Sequence, residues 1–393
     1  MPTFPTDPIA AGVLMFAALS VWPAPLAQAP VARARPAETA VRRGPPPEVP
    51  VRRERLSDAV KVEVVDRVLA ALQRGYVFPE VATAIEASVR ARAAAGAYAK
   101  IGDGETLARE LTRDLQDVAH DKHLRVSFDP RSDAGGARAA GAPGSEGPER
   151  NEDAQERRRA RSAHDNFGVE HVERLAGNVG YLDLRGFVPP QLSGDTVAAA
   201  FGLLAHTDAL IIDLRQNGGG SPHSVALVAS YLFGPEPVHL NDIYTRAEDR
   251  TEEFWTLPEV PGKRYLGRDV FVLTAKRTFS AAEEFAYDLQ QLGRATLVGE
   301  TTGGGANPGG TEPVGAGFLL FLPTGRAINP ITKTNWEGTG VEPDVPTAAE
   351  DALRTAHLLA LDASIATTED PERRAMLTEQ RERVRRTTEA TTR

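Results

Sequence analysis

The chain has 393 residues, of which 41% are hydrophobic and 25% are charged, a balance that suits a globular protein with one large or two medium-sized cores. Its formal net charge of −9 gives no general reason to expect a basic surface for nucleic acid, so no nucleic-acid partner is expected. Because the sequence contains no cysteine, disulfides, thiolate catalysis and cysteine-ligated metals are excluded.

The first 30 residues resemble an export signal. An apolar run from Ile9 to Trp22 is short for a membrane span, and the small residues of PAPLAQAPVARA follow it, as in a signal-peptide cleavage region. Asp7 and the lack of Lys or Arg before Ile9 leave an uncleaved anchor and a misplaced start codon as alternatives. We expect an exported protein, periplasmic or extracellular, with no stable membrane partner beyond this N-terminal segment.

An N-terminal helical subdomain is predicted over residues 57–128. Residues 31–56 before it are rich in Pro, Ala and Arg and predict a disordered linker. Apolar residues then recur at helical spacing, which predicts three amphipathic helices. These helices cover Ser57–Tyr76, Glu80–Ala95 and Gly104–Ala119.

Residues 129–165 are dominated by Gly, Ala, Arg, Glu and Ser and contain almost no large apolar side chain. Such a segment cannot build a core, so it is assigned to a low-complexity linker. The arginine cluster Arg157–Arg161 lies among acidic residues and has no aromatic partners, which favours a solvated segment over a nucleic-acid site.

From Val169 onward, strands alternate with helices, which predicts an α/β domain over residues 166–365. The predicted strands are Val179–Leu184, Ala209–Leu214, Val270–Leu273 and Thr296–Val298, with a helix over Ser224–Phe233 and a hairpin beginning at Gly317–Leu322. Two strands lead through a loop into a helix, after Leu214 and after Leu273. Because such sheets bind ligands beyond the carboxyl ends of their strands, both loops are expected to face one site. Residues 366–393 form a charged C-terminal tail.

Ser280 lies between a buried strand and the predicted helix Ala281–Leu289. One interpretation is a helix cap, with Glu283 completing a capping box. The other is a nucleophile, because the free amides of a helix N-terminus can stabilise a developing oxyanion. Position alone favours the cap, since caps far outnumber nucleophiles.

Two glycine runs lie close to Ser280 in the predicted fold. The amides of Gly218–Gly220 can point at a ligand, which suits an oxyanion hole, a phosphate cradle or a plain tight turn. A Walker-type nucleotide loop is disfavoured because no Lys-Ser/Thr pair follows. Gly303–Gly305 predict either a flexible surface loop or a segment that lines the substrate.

A serine nucleophile needs a base. His123 lies where the helical subdomain passes into a short strand, which places it better for chemistry than a residue on a solvated helix face. His120 is the local competitor, and Lys276 can serve only if the turn before Ser280 doubles back. The other histidines favour surface or capping positions; they are His164, His171, His206, His223, His239 and His357.

Several motifs in order resemble those of the C-terminal-processing (tail-specific) serine peptidase family. They are YVFPE, DLxxVxxDKHLRV, GNVGYLDLRGF, DLRQNGGG, TFSAAEEFAY, VGETTGGGANPGG and NWEGTGVEPDV, and they cover about Ser57 to Pro346 apart from the linker. The sequence is most similar to the branch of interphotoreceptor retinoid-binding protein and its bacterial relatives, with tricorn protease a more distant cousin.

The resemblance implies a crotonase-like α/β spiral core preceded by a helical subdomain. It also implies the roles of individual residues: Ser280 as nucleophile, His123 as general base, Glu337 as the acidic partner of that base, and the amides of Ala281 and of Gly219, or its neighbour Gly218, as oxyanion donors. Gly218, Gly304 and Asn307 are predicted to line the substrate. No metal or organic cofactor is implied.

Three features depart from the family pattern. Where a serine-lysine enzyme has its lysine, this sequence has TTGGGAN, and the interval between the helical part and the core is a low-complexity linker with no obvious PDZ-like domain. Tricorn-like sites have a serine immediately before the histidine, whereas this chain has Lys122. We expect a serine-type endopeptidase acting on peptides or on unfolded or tail-exposed proteins through a Ser-His-Glu site. The alternative is a binding protein for an apolar ligand, a retinoid or fatty acid, on the same fold.

Overall fold

The computed structural model describes residues 55–130 and 156–389, apart from residue 158. The predicted export segment, nearly all of the first linker and most of the second lie outside the described residues. In the part of the chain that is described, no helix is long and apolar enough to cross a membrane. The described residues belong to one compact unit.

Three helices open the structure, as the apolar spacing predicts: α1 over Asp58–Gly75, α2 over Pro79–Ala94 and α3 over Gly104–Ala119. Each start has a local cause. Ser57 caps α1, Asp103 caps α3 by accepting the Thr106 N–H at 2.8 Å, and α2 begins on a proline. Strand β1, Arg125–Phe128, follows α3 after a short turn.

Six strands form the main sheet, and five of them run parallel. In chain order they are β2 Val169–Leu175, β3 Val179–Leu184, β4 Ala209–Asp213, β7 Asp269–Thr274, β8 Thr296–Gly299 and β12 Val345–Pro346. Their order across the sheet is β12-β8-β7-β4-β3-β2, and the edge strand β2 is antiparallel to β3. The structure is therefore mixed α/β, as predicted, and its main sheet is mostly parallel.

Two three-stranded antiparallel sheets complete the β structure. The first has the order β11-β5-β6, with β5 over His239–Thr245, β6 over Arg250–Trp255 and β11 over Gly325–Ile328. The second has the order β1-β10-β9, with β9 over Gly309–Gly315 and β10 over Phe318–Pro323. Strands β9 and β10 form the hairpin that the sequence predicts near residue 317. Strand β1 thereby joins the segment after α3 to the α/β part of the chain.

Five further helices cover the main sheet: α4 Pro190–Leu204, α5 Pro222–Ser230, α6 Ala281–Gln291, α7 Ala349–Thr367 and α8 Pro371–Glu389. Residues of α4, α5 and α6 pack with one face of the sheet, and residues of α7 and α8 pack with the other. The predicted charged tail thus contains a helix, and its Leu377 is only 1% exposed against the core. Residues 159–164, the end of the second predicted linker, are also helical.

The helical subdomain does not have a core of its own. Its buried residues form one cluster with Val314, Phe318, Leu320 and Leu322 of β9 and β10. The predicted boundary near residue 128 therefore separates stretches of sequence rather than hydrophobic cores. Because of this shared packing, the turn after α3 lies next to the α/β part of the chain.

The sheet determines where the two predicted loops lie. Strand β4 ends at Asp213 and leads through a glycine turn into α5, and β7 ends at Thr274 and leads through Ser280 into α6. Because β4 and β7 are adjacent and parallel, the two loops leave the same edge of the sheet. In this respect the sequence-based expectation is confirmed.

Candidate active site

Ser280 is the N-cap residue of α6 and has φ 56° and ψ −124°. Positive φ is uncommon for a residue with a side chain and persists only where the surroundings enforce it. The Ser280 N–H donates to Glu283 Oε2 at 2.8 Å, as in the predicted capping box. In the described part of the chain, the N–H of Ala281 in the first turn donates to no acceptor. An unpaired amide therefore lies beside a strained serine.

The glycine turn after β4 packs directly against Ser280. Gly219 has φ 107°, and a Cβ there would lie 2.8 Å from Ser280 Cβ and 2.9 Å from the Phe279 carbonyl oxygen. The Phe279 N–H donates to the Asn217 carbonyl at 3.1 Å. Through this close packing and this hydrogen bond, the glycine turn and the Ser280 loop contact each other directly.

The amide of Gly219, one of the two predicted oxyanion donors in this turn, is engaged. It donates to Asn217 Oδ1 at 2.8 Å, and the Asn217 amide group in turn donates to the Leu184 carbonyl at 2.9 Å. Within the described residues, the Gly218 N–H makes no hydrogen bond. Of the two glycine amides named from the sequence, that of Gly218 is the one available in this structure.

We expect Gly219→Ala to lower the rate of a reaction at Ser280 by about 10- to 100-fold, because the added methyl group would displace Ser280 and the turn would be strained at φ 107°. The matched control is Gly218→Ala, because a Cβ at Gly218 meets no atom within 4 Å and the substitution keeps the N–H. Initial rates and thermal unfolding of both variants check this. Equal rates for the two variants would contradict the expectation.

His123 lies in the turn between α3 and β1 and is 6% exposed. Its ring packs between Phe279 and Phe321, with ring centroids 4.5 Å and 5.6 Å away. Its Nδ1 is buried and has no hydrogen-bond partner among the described residues. Burial, and to a lesser degree the positive Arg125, lowers the pKa of His123 to about 4. The imidazole is therefore neutral at ordinary pH and can accept a proton.

Glu337 lies close to this histidine although more than 200 residues separate them in the sequence. One donor atom from each of Asp121, His123 and Glu337 lies within 4.8 Å of the other two. Glu337 Oε2 accepts the Ala306 N–H at 2.5 Å, while its Oε1 is buried without a partner in the described structure. Burial first, and then the nearby Asp121 carboxylate, raises the pKa of Glu337 to about 8.

Asp121 is absent from the predicted site residues although it belongs to the motif DKHLRV. It is 1% exposed, accepts the His123 N–H at 2.9 Å, and accepts the hydroxyl of Tyr76 at 3.2 Å. Asn307, predicted to line the substrate, is 1% exposed and donates from Nδ2 to Asp121 at 3.0 Å. Burial raises the pKa of Asp121. In the sequence, the position of Asp121 two residues before His123 was the feature that could have indicated a role in the site.

Glu283 connects Ser280 to the second glycine run. Besides the Ser280 N–H, its carboxylate accepts the N–H groups of Gly304 at 2.6 Å and Gly305 at 2.9 Å and the hydroxyl of Thr302 at 2.5 Å. Burial raises the pKa of Glu283, and these donors act in the opposite direction. Gly304 and Gly305 are buried, so this run is not a flexible surface loop, and the Gly304 amide is already used.

Ser280 and His123, the predicted nucleophile and base, are not hydrogen-bonded to each other. Among the described residues, no hydrogen bond joins the Ser280 hydroxyl to the His123 ring. The ring of Phe279, the residue before Ser280, contacts the His123 ring. A reaction between the two groups therefore requires them to approach.

The alternative bases lie elsewhere. The Lys276 side chain is 84% exposed, and its ammonium group pairs with Glu300 at 3.7 Å. His120 is exposed and ends α3 in a left-handed conformation with φ 54°. Lys122, at the position of the tricorn-like serine, donates from Nζ to the Gly303 carbonyl and so holds the glycine run.

Residues 178–347 match the family model described as peptidase family S41, and residues 55–160 match the model of the N-terminal domain of Peptidase S41 in eukaryotic IRBP. The chain belongs to peptidase family S41. Within S41, a 98-residue stretch is 33% identical to the tail-specific protease of Haemophilus influenzae, covering 25% of this chain and 13% of that protein.

The chain is also similar to solved structures. A candidate peptidase from Parabacteroides merdae is 18% identical, with a TM-score of 0.51 over 79% of this chain and 98% of that chain. A photosystem II D1 C-terminal processing protease is 16% identical, with a TM-score of 0.46 over 75% of this chain and 94% of that chain. The first of these shows the same overall fold.

Proposed function

We propose that this S41 chain is a serine-type endopeptidase that hydrolyses peptides or unfolded and tail-exposed proteins. The observation that carries the proposal is Ser280, held at positive φ on the N-terminus of α6 beside the unpaired Ala281 N–H and the glycine turn. A nucleophile needs this arrangement because the tetrahedral intermediate puts negative charge on an oxygen next to it.

In the proposed mechanism, the His123 imidazole takes the Ser280 hydroxyl proton as the serine oxygen attacks the peptide carbonyl. The amide of Ala281 and one from Gly218 or Gly219 then stabilise the oxyanion. The protonated imidazole gives its proton to the leaving amine, and a water molecule hydrolyses the acyl-enzyme with the same histidine as base. Ser280 and His123 are not hydrogen-bonded in the structure. We therefore propose that the two side chains move into hydrogen-bond distance when the substrate binds.

Glu337 is proposed to stabilise the positively charged imidazole. The Glu337 carboxylate lies in the cluster with His123 and Asp121, and its Oε1 is buried without a partner among the described residues, which supports a direct hydrogen bond without a bridging serine. Gly304 and Asn307 are proposed to shape the substrate side of the site from buried positions. We further propose that the core is a crotonase-like spiral, that the protein is exported, and that it works without a cofactor.

The proposed role of Glu337 predicts the pH dependence of turnover. With a pKa of about 8, the carboxyl is mostly protonated below that pH and then lacks the negative charge that stabilises the imidazolium in the transition state. We expect kcat/KM to rise about tenfold or more between pH 6 and pH 9, whereas His123, with a pKa of about 4, contributes no step in this range. Glu337→Gln should have lower activity and a flat profile; an unchanged step in this variant would assign it to another group.

A covalent probe tests the proposed function. A fluorophosphonate should label the purified chain at Ser280, and Ser280→Ala should abolish both labelling and the hydrolysis of an unfolded protein. Ser221→Ala is the matched control, since Ser221 is a serine at the start of the neighbouring helix α5. If neither labelling nor hydrolysis depends on Ser280, the peptidase is rejected. The predicted binding of a fatty acid or retinoid would then be measured by fluorescence.

A further inference from the structure

The cluster of Asp121, His123 and Glu337 contains two buried ligand atoms that have no partner in the described structure. His123 Nδ1 and Glu337 Oε1 are both buried and both lack a hydrogen-bond partner among the described residues. Most buried polar atoms have partners, so two orphaned atoms in one cluster need an explanation. One ligand atom from each of the three side chains lies within 4.8 Å of the other two.

The chemistry of these atoms matches a borderline divalent cation. One neutral imidazole nitrogen and two carboxylate oxygens form a ligand set suited to Zn²⁺, with metal-ligand distances of about 2.0–2.2 Å and a fourth position left for water. Ligands of such a tetrahedral ion lie roughly 3.4 Å apart. A modest inward movement from the separation in the structure is therefore sufficient.

The cluster also has the support that metal ligands need. Asp121 is held by Tyr76 and Asn307, and Glu337 is fixed through Oε2 by the Ala306 N–H, which leaves Oε1 free to turn toward an ion. Because Glu337 Oε1 and His123 Nδ1 have no partners, an ion that recruits them breaks no protein hydrogen bond. The two carboxyl groups give up any bound proton as the cation binds and then provide the negative charge that it needs.

We propose that Asp121, His123 and Glu337 form an inhibitory binding site for Zn²⁺. When the ion binds one imidazole nitrogen, the other nitrogen carries the proton, so the ring has no lone pair to accept the Ser280 proton and the metal-bound form cannot begin acyl transfer. This inhibition rests on the proposed function, whereas metal binding does not. The ion serves as a reversible block and takes no part in the reaction.

The binding test uses the full chain carrying Ser280→Ala, which keeps all three ligands and cannot degrade itself. Calorimetric titration with zinc chloride should show one tight site, and Co²⁺ in its place should give the intense visible absorption of tetrahedral cobalt. Adding Glu337→Gln should weaken Zn²⁺ binding at least tenfold, and adding His123→Ala should remove the cobalt spectrum. Thermal unfolding establishes that each variant is folded. If His123→Ala does not fold, the nearly isosteric Glu337→Gln still tests the site.

The matched control is His239→Ala. His239 is also paired with a carboxylate, at 2.8 Å from Asp242, but lies nearer the surface and outside the cluster. This variant should bind Zn²⁺ as the parent does. Equal Zn²⁺ affinity in the parent and in the Glu337→Gln and His123→Ala variants, or a loss of binding in His239→Ala instead, would overturn the proposal.

The inhibition arm uses the unmodified chain. Zn²⁺ should stop fluorophosphonate labelling over the concentration range in which it binds, and a chelator should restore labelling. Tight binding that leaves labelling unchanged would overturn the inhibitory role. Tight binding in a chain that no probe labels would keep the metal site and reject the peptidase, so the two proposals fail separately.

Discussion

His123→Ala is expected to lower kcat/KM for peptide hydrolysis by about four orders of magnitude. The substitution removes the group proposed to take the Ser280 proton, and at neutral pH an unassisted serine hydroxyl is a weak nucleophile. The ring also fills space between Phe279 and Phe321, so the variant should be somewhat less stable. Steady-state rates and thermal unfolding measured on the same preparation separate the two effects.

Two control variants test the alternative bases. Lys276→Ala removes an exposed side chain, and His120→Asn keeps a residue that tolerates the left-handed conformation at the end of α3. Both should keep activity within a few-fold of the parent. If the folded His123→Ala variant stays active and one of the two control variants is inactive, the residue replaced in that inactive variant is the base.

The second large effect is expected at Glu283. Glu283→Ala would leave the buried N–H groups of Ser280, Gly304 and Gly305 and the hydroxyl of Thr302 without their common acceptor. Breaking such a network costs about 3–5 kcal/mol of unfolding free energy. Because the same carboxylate fixes the backbone of Ser280, hydrolysis should also fall severely. Urea unfolding with a matched rate measurement checks both parts.

Glu283→Gln refines this test because it keeps one acceptor oxygen and turns the other into a donor facing backbone N–H groups. Its loss of stability should lie between those of the parent and of Glu283→Ala. Glu259→Ala, at an exposed glutamate, should change the unfolding free energy by less than about 0.5 kcal/mol. A Glu283→Ala chain as stable as Glu259→Ala would show that the network is not needed for the fold.

The regular elements were predictable because their causes are local. Apolar spacing predicts α1, α2 and α3, and continuous apolar runs predict β3, β4 and β7. The strand-loop-helix pattern also predicts that the loops of Asn217 and Ser280 share an edge. The sequence pattern did not predict the packing of the helical subdomain on β9 and β10, nor the helix in the predicted tail. Both depend on contacts between segments that are distant in the sequence.

The roles of polar residues were harder to predict for the same reason. The sequence predicts Glu283 as a capping residue. Its hydrogen bonds to the N–H groups of Gly304 and Gly305 form only when the Ser280 loop and the second glycine run meet in the fold. Asp121 is an ordinary acidic residue in its motif until Tyr76 and Asn307 surround it. Nothing local indicates that Asn217 occupies the Gly219 amide. Hydrogen-bond partners far apart in sequence leave no periodic signal.

Strand β1 pairs with β10, so the histidine before β1 reaches the serine only after chain segments some 200 residues apart have joined. Contacts of such long range form late in folding because the loop closure they require is costly in entropy. A growing chain that has not yet made residue 337 contains the proposed nucleophile and base but not the acid of the same cluster. The proposed site can therefore be complete only after residue 337 has been synthesised and has packed against the earlier segments.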